Sequence, residues 1–420
     1  MRRGTKLMAL GVTALALGLL ACGSDSTGSL NGGGGGSWGN GGSGGGDPNG
    51  NNPSPGGGPT QNQGGGSADP GNQNNPNLDQ RQINYGEALR TASLKLVGEL
   101  PTLADIKGLD GAQDKKAYYE GKIDALLGDP RFSAKMVQWW RDTFKTGGPA
   151  AGQKPSFDTA ATFAAMVVVQ DRPYTDLFTA NTGTCPTYAN GAFTAASCNN
   201  GAPTAGVLTD PGLMAQYAAN MPFRRVRFIQ ETFVCSKFPT EFSQSPQQMG
   251  AGTYTSPWAF TSVTGGNAQT IRINFQDTSS VICANCHTTL NHVSPLFGYF
   301  DDNGKYTANT FQVKTPSTGN PTSKLDDWLP QGQQSFAWRF NVPVTDIPSL
   351  GQAIAKDPDV ATCAVNRVWN WAMSRGDIVN DLATVPPVVT DPIVQDFKTN
   401  GFKLKRVIRN VFTSDDFVKF

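Results

Sequence analysis

The sequence predicts a mainly α-helical fold, a multi-helix body with a few short β-hairpins and long irregular loops. Two segments, 129–148 and 357–376, open with Asp-Pro and then carry apolar residues at intervals of three or four positions. Asp-Pro suits an N-cap followed by the first helical residue, and this spacing places apolar side chains on one helix face. A third segment, residues 402–412, has the same periodicity.

The first of these segments predicts a helix that starts after Asp129 and is stopped by Gly147 and Gly148. Its expected buried face consists of Phe132, Met136, Trp139, Trp140 and Phe144. The second segment predicts a helix from Asp357 and Pro358 to Gly376, with a buried face of Val360, Ala364, Val368 and Trp371. The tryptophans could form a binding platform or an electron relay, but core packing accounts for most of them.

Two regions favour irregular or β structure over helix. Residues 181–206 are rich in Gly, Ala, Thr and Asn, and residues 306–345 combine Thr, Pro and Gly with short apolar alternations. We expect both to be loops or short hairpins inserted in the helical body.

The N-terminus has the features of an export signal. Arg2, Arg3 and Lys6 precede an apolar stretch, residues 7–21, that is shorter than the ~20 residues a membrane-spanning helix needs. It ends in Leu-Leu-Ala-Cys, which resembles a bacterial lipobox with Cys22 as the lipidated residue. The alternative is an ordinary secretory signal with an unrelated cysteine. An aspartate after the cysteine would favour retention in the inner membrane, and Gly23 stands there instead. The sequence therefore predicts an exported lipoprotein of the outer membrane, on its periplasmic face or at the cell surface.

The segment after this signal is predicted to be a flexible tether. Residues 23–78 consist almost entirely of Gly, Ser, Asn, Pro, Gln and Asp, so they bury too little apolar surface to offset the entropy of ordering. A flexible chain of this length reaches roughly 40 Å. The chain as a whole has a near-balanced charge, with 34 Lys and Arg against 33 Asp and Glu, which argues against a nucleic-acid partner.

The seven cysteines divide into three groups. Cys22 is assigned to lipid, and Cys283 and Cys286 belong to a motif described below. The others are Cys185, Cys198, Cys235 and Cys363. In an exported protein an even remainder indicates two disulfides, for which three pairings are possible. Cys185 and Cys198 bracket a short irregular loop, and Cys235 would then pair with Cys363. Alternatively, each is a small buried apolar residue.

The motif itself is Cys283-Ala-Asn-Cys286-His287. Cys-x-x-Cys-His is the attachment signature of c-type haem, in which two thiols add to the vinyl groups of one porphyrin and the histidine binds its iron. The sequence thus predicts one covalent haem c held by Cys283 and Cys286, with His287 as the proximal iron ligand. The export signal agrees, since bacteria attach haem covalently outside the cytoplasm.

Two other uses of the motif remain open. Cys283, Cys286 and His292 could hold a structural zinc ion, although a closed zinc site needs four ligands and would require His287 as well. The two cysteines could also form a redox-active disulfide.

The distal side of the haem is less well defined by sequence. Since the chain has only two histidines and His292 is too close to His287 to reach the opposite face, we expect His292 to be satisfied locally. The distal ligand would then be methionine, water or another group. Met249 is the first candidate, and the others are Met214, Met221 and Met373.

The motif region resembles a known family. The stretch CANCHTTLNHVSPLFGYFDDNGKY, residues 283–306, is similar to the haem-motif region of secreted cytochrome-like proteins of planctomycetes and myxobacteria, domains of unknown function. Their pattern is roughly C-x-x-C-H-x-x-I-D-P-L-G followed by F-D-x-x-G-x-Y/R. Here Phe300, Asp301, Gly304 and Tyr306 match the second half, whereas His292 takes the place of the family's proline. Segments 170–181, 206–218, 224–235 and 361–417 also resemble this family, which implies a haem and a domain order more than an activity.

Taken together, these observations predict a domain organisation. The expected parts are a signal peptide 1–22, a disordered linker 23–78, an N-terminal helical domain 79–180, a loop-rich region with the haem-motif domain 181–310, an irregular or β insert 311–345 and a C-terminal helical domain 346–420. The Asp301–Gly304 stretch lacks the ligand spacing of a calcium loop and predicts a tight turn.

The leading functional expectation is a membrane-anchored monohaem electron carrier that exchanges electrons with redox partner proteins of the envelope. One alternative is a haem enzyme, peroxidase-like or oxygenase-like, with an open distal site. Another is an envelope binding or scaffold protein with structural haem or zinc, because a simple carrier needs only ~100 residues. Catalytic triads, paired carboxylates and phosphate-binding glycine loops do not stand out, so no catalytic residue is assigned.

Overall fold

The computed structural model describes the larger part of the chain after the linker. The described residues are 80–218, 222–238, 289–314, 322–325, 328–329, 335–377 and 385–420, with the backbone of four short strands between 248 and 277. They lie in a single compact unit, Gln61–Phe420. The predicted signal peptide and linker, with Cys22, lie outside the described residues.

Helices make up most of this part of the chain, so the mainly α prediction is confirmed. In chain order the helices are α1 Tyr85–Leu96, α2 Leu103–Gly111, α3 Lys115–Gly128, α4 Pro130–Phe144, α5 Thr159–Val169, α6 Asp176–Thr179, α7 Pro211–Gln216, α8 Phe223–Ile229, α9 Ile347–Lys356, α10 Pro358–Ala372, α11 Pro387–Thr399, α12 Leu404–Phe412 and α13 Asp415–Val418. A π-helical turn, Gln230–Val234, continues α8, and 3₁₀ turns occupy Gly206–Thr209, Ser294–Phe297 and Arg339–Asn341.

Helix α4 begins as its sequence predicts but ends earlier. The Asp129 side chain accepts a hydrogen bond from the backbone N–H of Arg131 at 2.8 Å, and Pro130 is the first helical residue. The helix ends at Phe144, before the two glycines, because Lys145 adopts a left-handed conformation with φ of 51°. A left-handed residue turns the chain away from the helix axis and closes the last turn.

Helix α10, like α4, begins where its sequence predicts and ends earlier. Asp357 caps it by accepting from the backbone N–H of Asp359 at 3.0 Å. It ends at Ala372 and not at Gly376, since Ser374 is left-handed with φ of 55°. Both early endings depend on a non-glycine residue in a conformation that usually favours glycine, which the sequence pattern did not reveal.

The N-terminal and C-terminal helical regions share one hydrophobic core. The Tyr119 hydroxyl in α3 donates to the backbone oxygen of Phe412 in α12 at 2.6 Å. At the surface, Gln82 and Phe420 exchange backbone hydrogen bonds of 3.0 Å in both directions. The largest fully buried apolar side chains include Trp140, Tyr119, Tyr174, Phe132, Phe144, Phe163, Phe178, Phe233 and Phe297. Trp139 and Trp371 are only partly buried.

The strands form small two-stranded antiparallel hairpins. They are β1 Thr187–Ala189 with β2 Ala192–Thr194, β3 Gln248–Met249 with β4 Gly252–Thr253, β5 Ser262–Asn267 with β6 Arg272–Asp277, and β7 Phe336–Trp338 with β8 Val342–Val344. In the first hairpin Thr187 faces Thr194, and in the last Phe336 faces Val344. Hairpins thus occur in both predicted irregular regions. Among the described residues, no helix combines the length and the apolar character needed to cross a bilayer.

Candidate functional site

The three motif residues Cys283, Cys286 and His287 lie outside the described residues. The described chain resumes at Thr289, two positions after the predicted iron ligand, with a helical segment at 289–293 that runs into the 3₁₀ turn Ser294–Phe297. What the structure defines is how the body holds the chain immediately after the motif.

This following segment is buried along its whole length. Leu290, Val293, Leu296 and Phe297 pack into the main core with exposed fractions of 7% or less. Four polar residues are buried with them, Thr289 at 1%, Asn291 and His292 at 4% and Ser294 at 0%. In the described part of the chain neither hydroxyl has a hydrogen-bond partner. A buried hydroxyl without a partner costs free energy, so water or a group outside the described residues would have to satisfy these two oxygens.

Arg225 of α8 fastens this segment to the body. Its guanidinium donates to the backbone oxygens of Phe297 at 2.9 Å, Asp301 at 3.1 Å and Met214 at 2.8 Å. The side chain is almost wholly buried, and this burial lowers the pKa of Arg225 to about 10. The group therefore stays charged at neutral pH, and its planar fork joins α7, α8 and the chain that follows the motif.

His292 is satisfied within the body, by a partner far along the chain and not locally as the sequence analysis expected. Its residue is 4% exposed, and Nδ1 lies 2.8 Å from the backbone oxygen of Ser335, which precedes β7. Burial lowers the pKa of His292 to about 4, so the imidazole is neutral at pH 7 and Nδ1 donates its proton to that oxygen. The histidine thereby links the segment after the motif to the β7–β8 hairpin.

The predicted turn Asp301–Gly304 also anchors this part of the chain. The Asp301 carboxylate accepts from the backbone N–H groups of Asn303 at 2.8 Å and Lys305 at 2.9 Å. Gly304 has φ of 72°, and a Cβ there would lie 2.1 Å from the backbone oxygen of Pro211. Only glycine fits, because the turn packs directly against the start of α7. The carboxylate serves the turn, which agrees with the prediction of a tight turn.

The four remaining cysteines form two disulfides with the pairing expected from sequence. Cys185 and Cys198 are joined with a Cα–Cα distance of 4.9 Å, and Cys235 and Cys363 with one of 5.4 Å. The second bond connects the end of the π-helical turn to the middle of α10. Asp210 lies beside the first disulfide, 3.6 Å from the Cys185 sulfur. Since both sulfurs of that pair are used in the bond, this grouping does not offer a set of metal ligands.

The candidate distal methionines are not brought to a common place. The backbone of Met249 lies in β3, and its side chain is outside the described residues, as is all of Met221. Met214 is 1% exposed and packs in the main core. Met373 follows α10 and is partly buried against the same core.

Two buried polar residues, in α8 and its π-helical continuation, were missed by the sequence analysis. Arg225 stands in an arginine-rich helix start and gave no sign that it would be buried. Gln230 begins the π-helical turn, is 0% exposed, and has no partner for its amide nitrogen or oxygen among the described residues. π-Helical turns are frequent at functional sites, but their sequences carry no recognisable pattern.

The residues present fit a covalently bound haem. Two thiols at the attachment spacing and an adjacent imidazole are the donor set that this group requires. The unpartnered hydroxyls of Thr289 and Ser294 are suitable donors for polar groups of a bound cofactor beside the motif. Comparison of the chain with protein families, curated proteins and solved structures finds no match in any of the three.

Proposed function

We propose that this protein is a membrane-anchored monohaem c-type cytochrome-like lipoprotein that transfers electrons in the cell envelope. The observation that carries the proposal is the Cys283-Ala-Asn-Cys286-His287 pattern behind an N-terminal export signal. The similarity of residues 283–306 to secreted cytochrome-like proteins supports the same conclusion.

Each chain residue has a defined role in this proposal. Cys283 and Cys286 would form the thioethers, and His287 would bind the iron on its proximal side. The bound haem c would supply one-electron redox chemistry. Cys22 would carry the lipid anchor, and Met249 is the first candidate for the distal ligand. Electrons would pass to and from redox partner proteins of the envelope.

The surroundings of the motif favour a carrier over a haem peroxidase. Peroxide cleavage requires a distal acid–base group, for which histidine is the usual choice. His292 is the chain's only histidine besides His287, and its Nδ1 is engaged with Ser335 in a buried setting that keeps it neutral. The Arg225 fork and this hydrogen bond hold the following segment rigidly. Rigid surroundings suit electron transfer because they reduce the rearrangement that accompanies a change of charge.

The test is a pyridine haemochrome spectrum of protein produced in a host with cytochrome c maturation. The wild-type chain should retain one haem after denaturation, and a Cys283→Ser, Cys286→Ser double variant should lose it. A matched control replaces Cys185 and Cys198 with serine. It removes two cysteines that form a disulfide, and it should leave the covalent haem in place. Haem retained by the first double variant, or an unmodified peptide 281–295 in the mature wild-type protein, would contradict the proposal.

The carrier role has its own measurement. Protein-film voltammetry should give a reversible one-electron wave. The spectrum of the ferrous protein should be that of a six-coordinate haem, and carbon monoxide should leave it unchanged. Rapid carbon monoxide binding by the resting ferrous protein would instead favour the haem enzyme. A Met249→Leu variant that binds carbon monoxide, where the wild type does not, would identify the distal ligand.

A further inference from the structure

A second candidate site lies away from the motif, on the surface formed by α1, α4 and α10. It is an open cleft of about 490 Å³. The residues that matter for its chemistry are Lys95, Lys135, Trp139, Asn370, Trp371 and Arg375. Apart from the two tryptophans and Leu94, its lining consists of polar or charged residues and one glycine.

The two tryptophans form a fixed apolar wall. The ring centroids of Trp139 and Trp371 are 5.7 Å apart with a 45° angle between the rings. Each is supported from behind by a buried ring, Trp139 by Trp140 at 4.7 Å and Trp371 by Phe412 at 5.4 Å. Both indoles are partly exposed, in contrast to the buried Trp140. The cleft thus offers a preformed aromatic surface whose orientation the core determines.

The charge of the cleft is positive. Lys135 and Arg375 line it, and in the described part of the chain neither side chain pairs with a carboxylate. Lys95 donates to the backbone oxygen of Trp371 at 2.7 Å, and burial lowers its pKa.

The acidic groups of the cleft do not cancel this charge. Asp377 is paired with Arg367 at 3.0 Å, and Asp142 accepts from the Gln138 amide at 2.8 Å. In the described part of the chain, Asp142 is therefore the single carboxylate of the cleft without a cationic partner, against Lys95, Lys135 and Arg375.

An apolar wall beside amides, a hydroxyl and uncompensated cations defines the kind of ligand that fits. A flat aromatic acid would bind better in an enclosed apolar pocket, and a simple anion would make no contact with the two tryptophans. A sugar ring has an apolar face of C–H groups that packs on indole and a rim of hydroxyls that bind polar side chains. A carboxylate on that ring would match the cations. We propose that the cleft formed by Trp139, Trp371, Lys135 and Arg375 binds acidic carbohydrate, a chain of uronic acid residues. This site does not depend on the haem.

The test is calorimetric titration of the full mature lipoprotein, in detergent micelles, with tetragalacturonate and tetramannuronate. At least one should bind, and raising the salt concentration should weaken its binding because the attraction is between charges. The methyl-esterified form of the same oligosaccharide keeps its hydroxyls but loses its charge, so it should bind at least about tenfold more weakly. Vesicles of phosphatidylglycerol, titrated in the same way, test whether the cleft binds anionic lipid instead of acidic carbohydrate.

The variants separate the cleft from general surface charge. Arg375→Gln and Lys135→Gln should each weaken binding about tenfold, since each removes a charge-assisted hydrogen bond. The matched control is Lys115→Gln, an exposed lysine at the start of α3 outside the cleft, and it should leave the affinity unchanged. Trp371→Leu should abolish binding, and its melting temperature shows whether it folds. The two charge variants are independent of that result.

Several results would overturn the proposal. They are failure of both oligosaccharides to bind at millimolar concentration, equal binding of the methyl ester, an equal effect of Lys115→Gln and Arg375→Gln, or cleft-dependent binding to lipid vesicles without binding to either uronate. Loss of haem in the Cys283→Ser, Cys286→Ser variant with unchanged uronate binding is the expected result if both proposals hold. Uronate binding by a wild-type protein that carries no haem would contradict the proposed cytochrome alone.

Discussion

Arg339 and Asp357 form an ion pair of 2.9 Å between Nη1 and Oδ2, with side-chain exposures of 0% and 3%. The same carboxylate accepts from the Trp338 indole at 2.9 Å and caps α10 through the backbone N–H of Asp359. One buried aspartate thus joins the β7–β8 hairpin to the start of a core helix.

Asp357→Ala should lower the free energy of unfolding by about 3 kcal/mol or more, because it removes one of the carboxylates that pair with the buried Arg339 charge and removes the helix cap. Asp357→Asn keeps the capping oxygen and should be less damaging. Denaturant unfolding at neutral pH measures both. Asp415→Asn, at a side chain 74% exposed and 3.7 Å from Lys419, is the surface control and should change stability by less than about 1 kcal/mol.

Asp210 should make the protein less stable as the pH rises from about 4 to 6. Burial raises the pKa of Asp210 to about 6, so the folded state binds this proton more tightly than the unfolded state does. The contribution of Asp210 to the free energy of unfolding is complete below the pKa that it has in the unfolded chain. It is lost as the pH rises through the pKa of the folded state, a change of about 3 kcal/mol.

Asp210→Asn should remove this part of the pH dependence and keep the cap on α7, where the side chain accepts from the backbone N–H of Leu213 at 2.9 Å. The check is the difference in urea midpoint between variant and wild type at pH 4 and pH 7. The variant should gain stability relative to wild type at the higher pH. A difference that does not change with pH would contradict the predicted titration.

The two disulfides should differ in their contribution to stability. Cys235–Cys363 closes a loop with a sequence separation of 128, whereas that of Cys185–Cys198 is 13. Since a longer loop loses more entropy in the unfolded chain, replacing the first pair with serine should cost about 4–5 kcal/mol and replacing the second about 3 kcal/mol. Each double variant is compared with wild type by denaturant unfolding under oxidising conditions. Equal costs would mean that loop entropy does not dominate.

Arg225→Met should destabilise the segment that follows the motif. The substitution removes the charged donor that the backbone oxygens of Met214, Phe297 and Asp301 share in a buried setting, at a cost of about 3 kcal/mol. Hydrogen exchange should increase at 289–301 before it increases in α4. Arg225→Lys keeps the charge but loses the planar fork, so its exchange rate at 289–301 should lie between those of the wild type and Arg225→Met. Arg224→Met is the neighbouring control and should leave exchange at 289–301 unchanged.

Local signals in the sequence predicted much of the fold. The Asp-Pro helix starts at Asp129 and Asp357 depend on side chains within three residues of the cap, and that information is contained in a short window. The cysteine pairing followed from a count of cysteines in a chain that the sequence predicts to be exported. The turn at Gly304 could be predicted because the four consecutive residues that form it, Asp301 to Gly304, are of types that favour a tight turn.

Relationships between distant positions could not be predicted in the same way. Nothing near Arg225 or Arg339 in sequence indicates that each would be buried, since their partners lie far along the chain or in backbone oxygens. The positive cleft requires α1, α4 and α10 to come together, and only then do Trp139 and Trp371 become neighbours. The haem assignment itself stays a prediction from the motif.

The Cys235–Cys363 bond has a practical consequence for work with proteases. A single cut anywhere in residues 236–362 leaves the two pieces covalently joined, so the fragment that bears the motif cannot diffuse away from the rest. On a gel such a nicked molecule would migrate near full length until a reductant is added. Such a cut would therefore remain invisible in unreduced samples, and every preparation should be examined in both conditions.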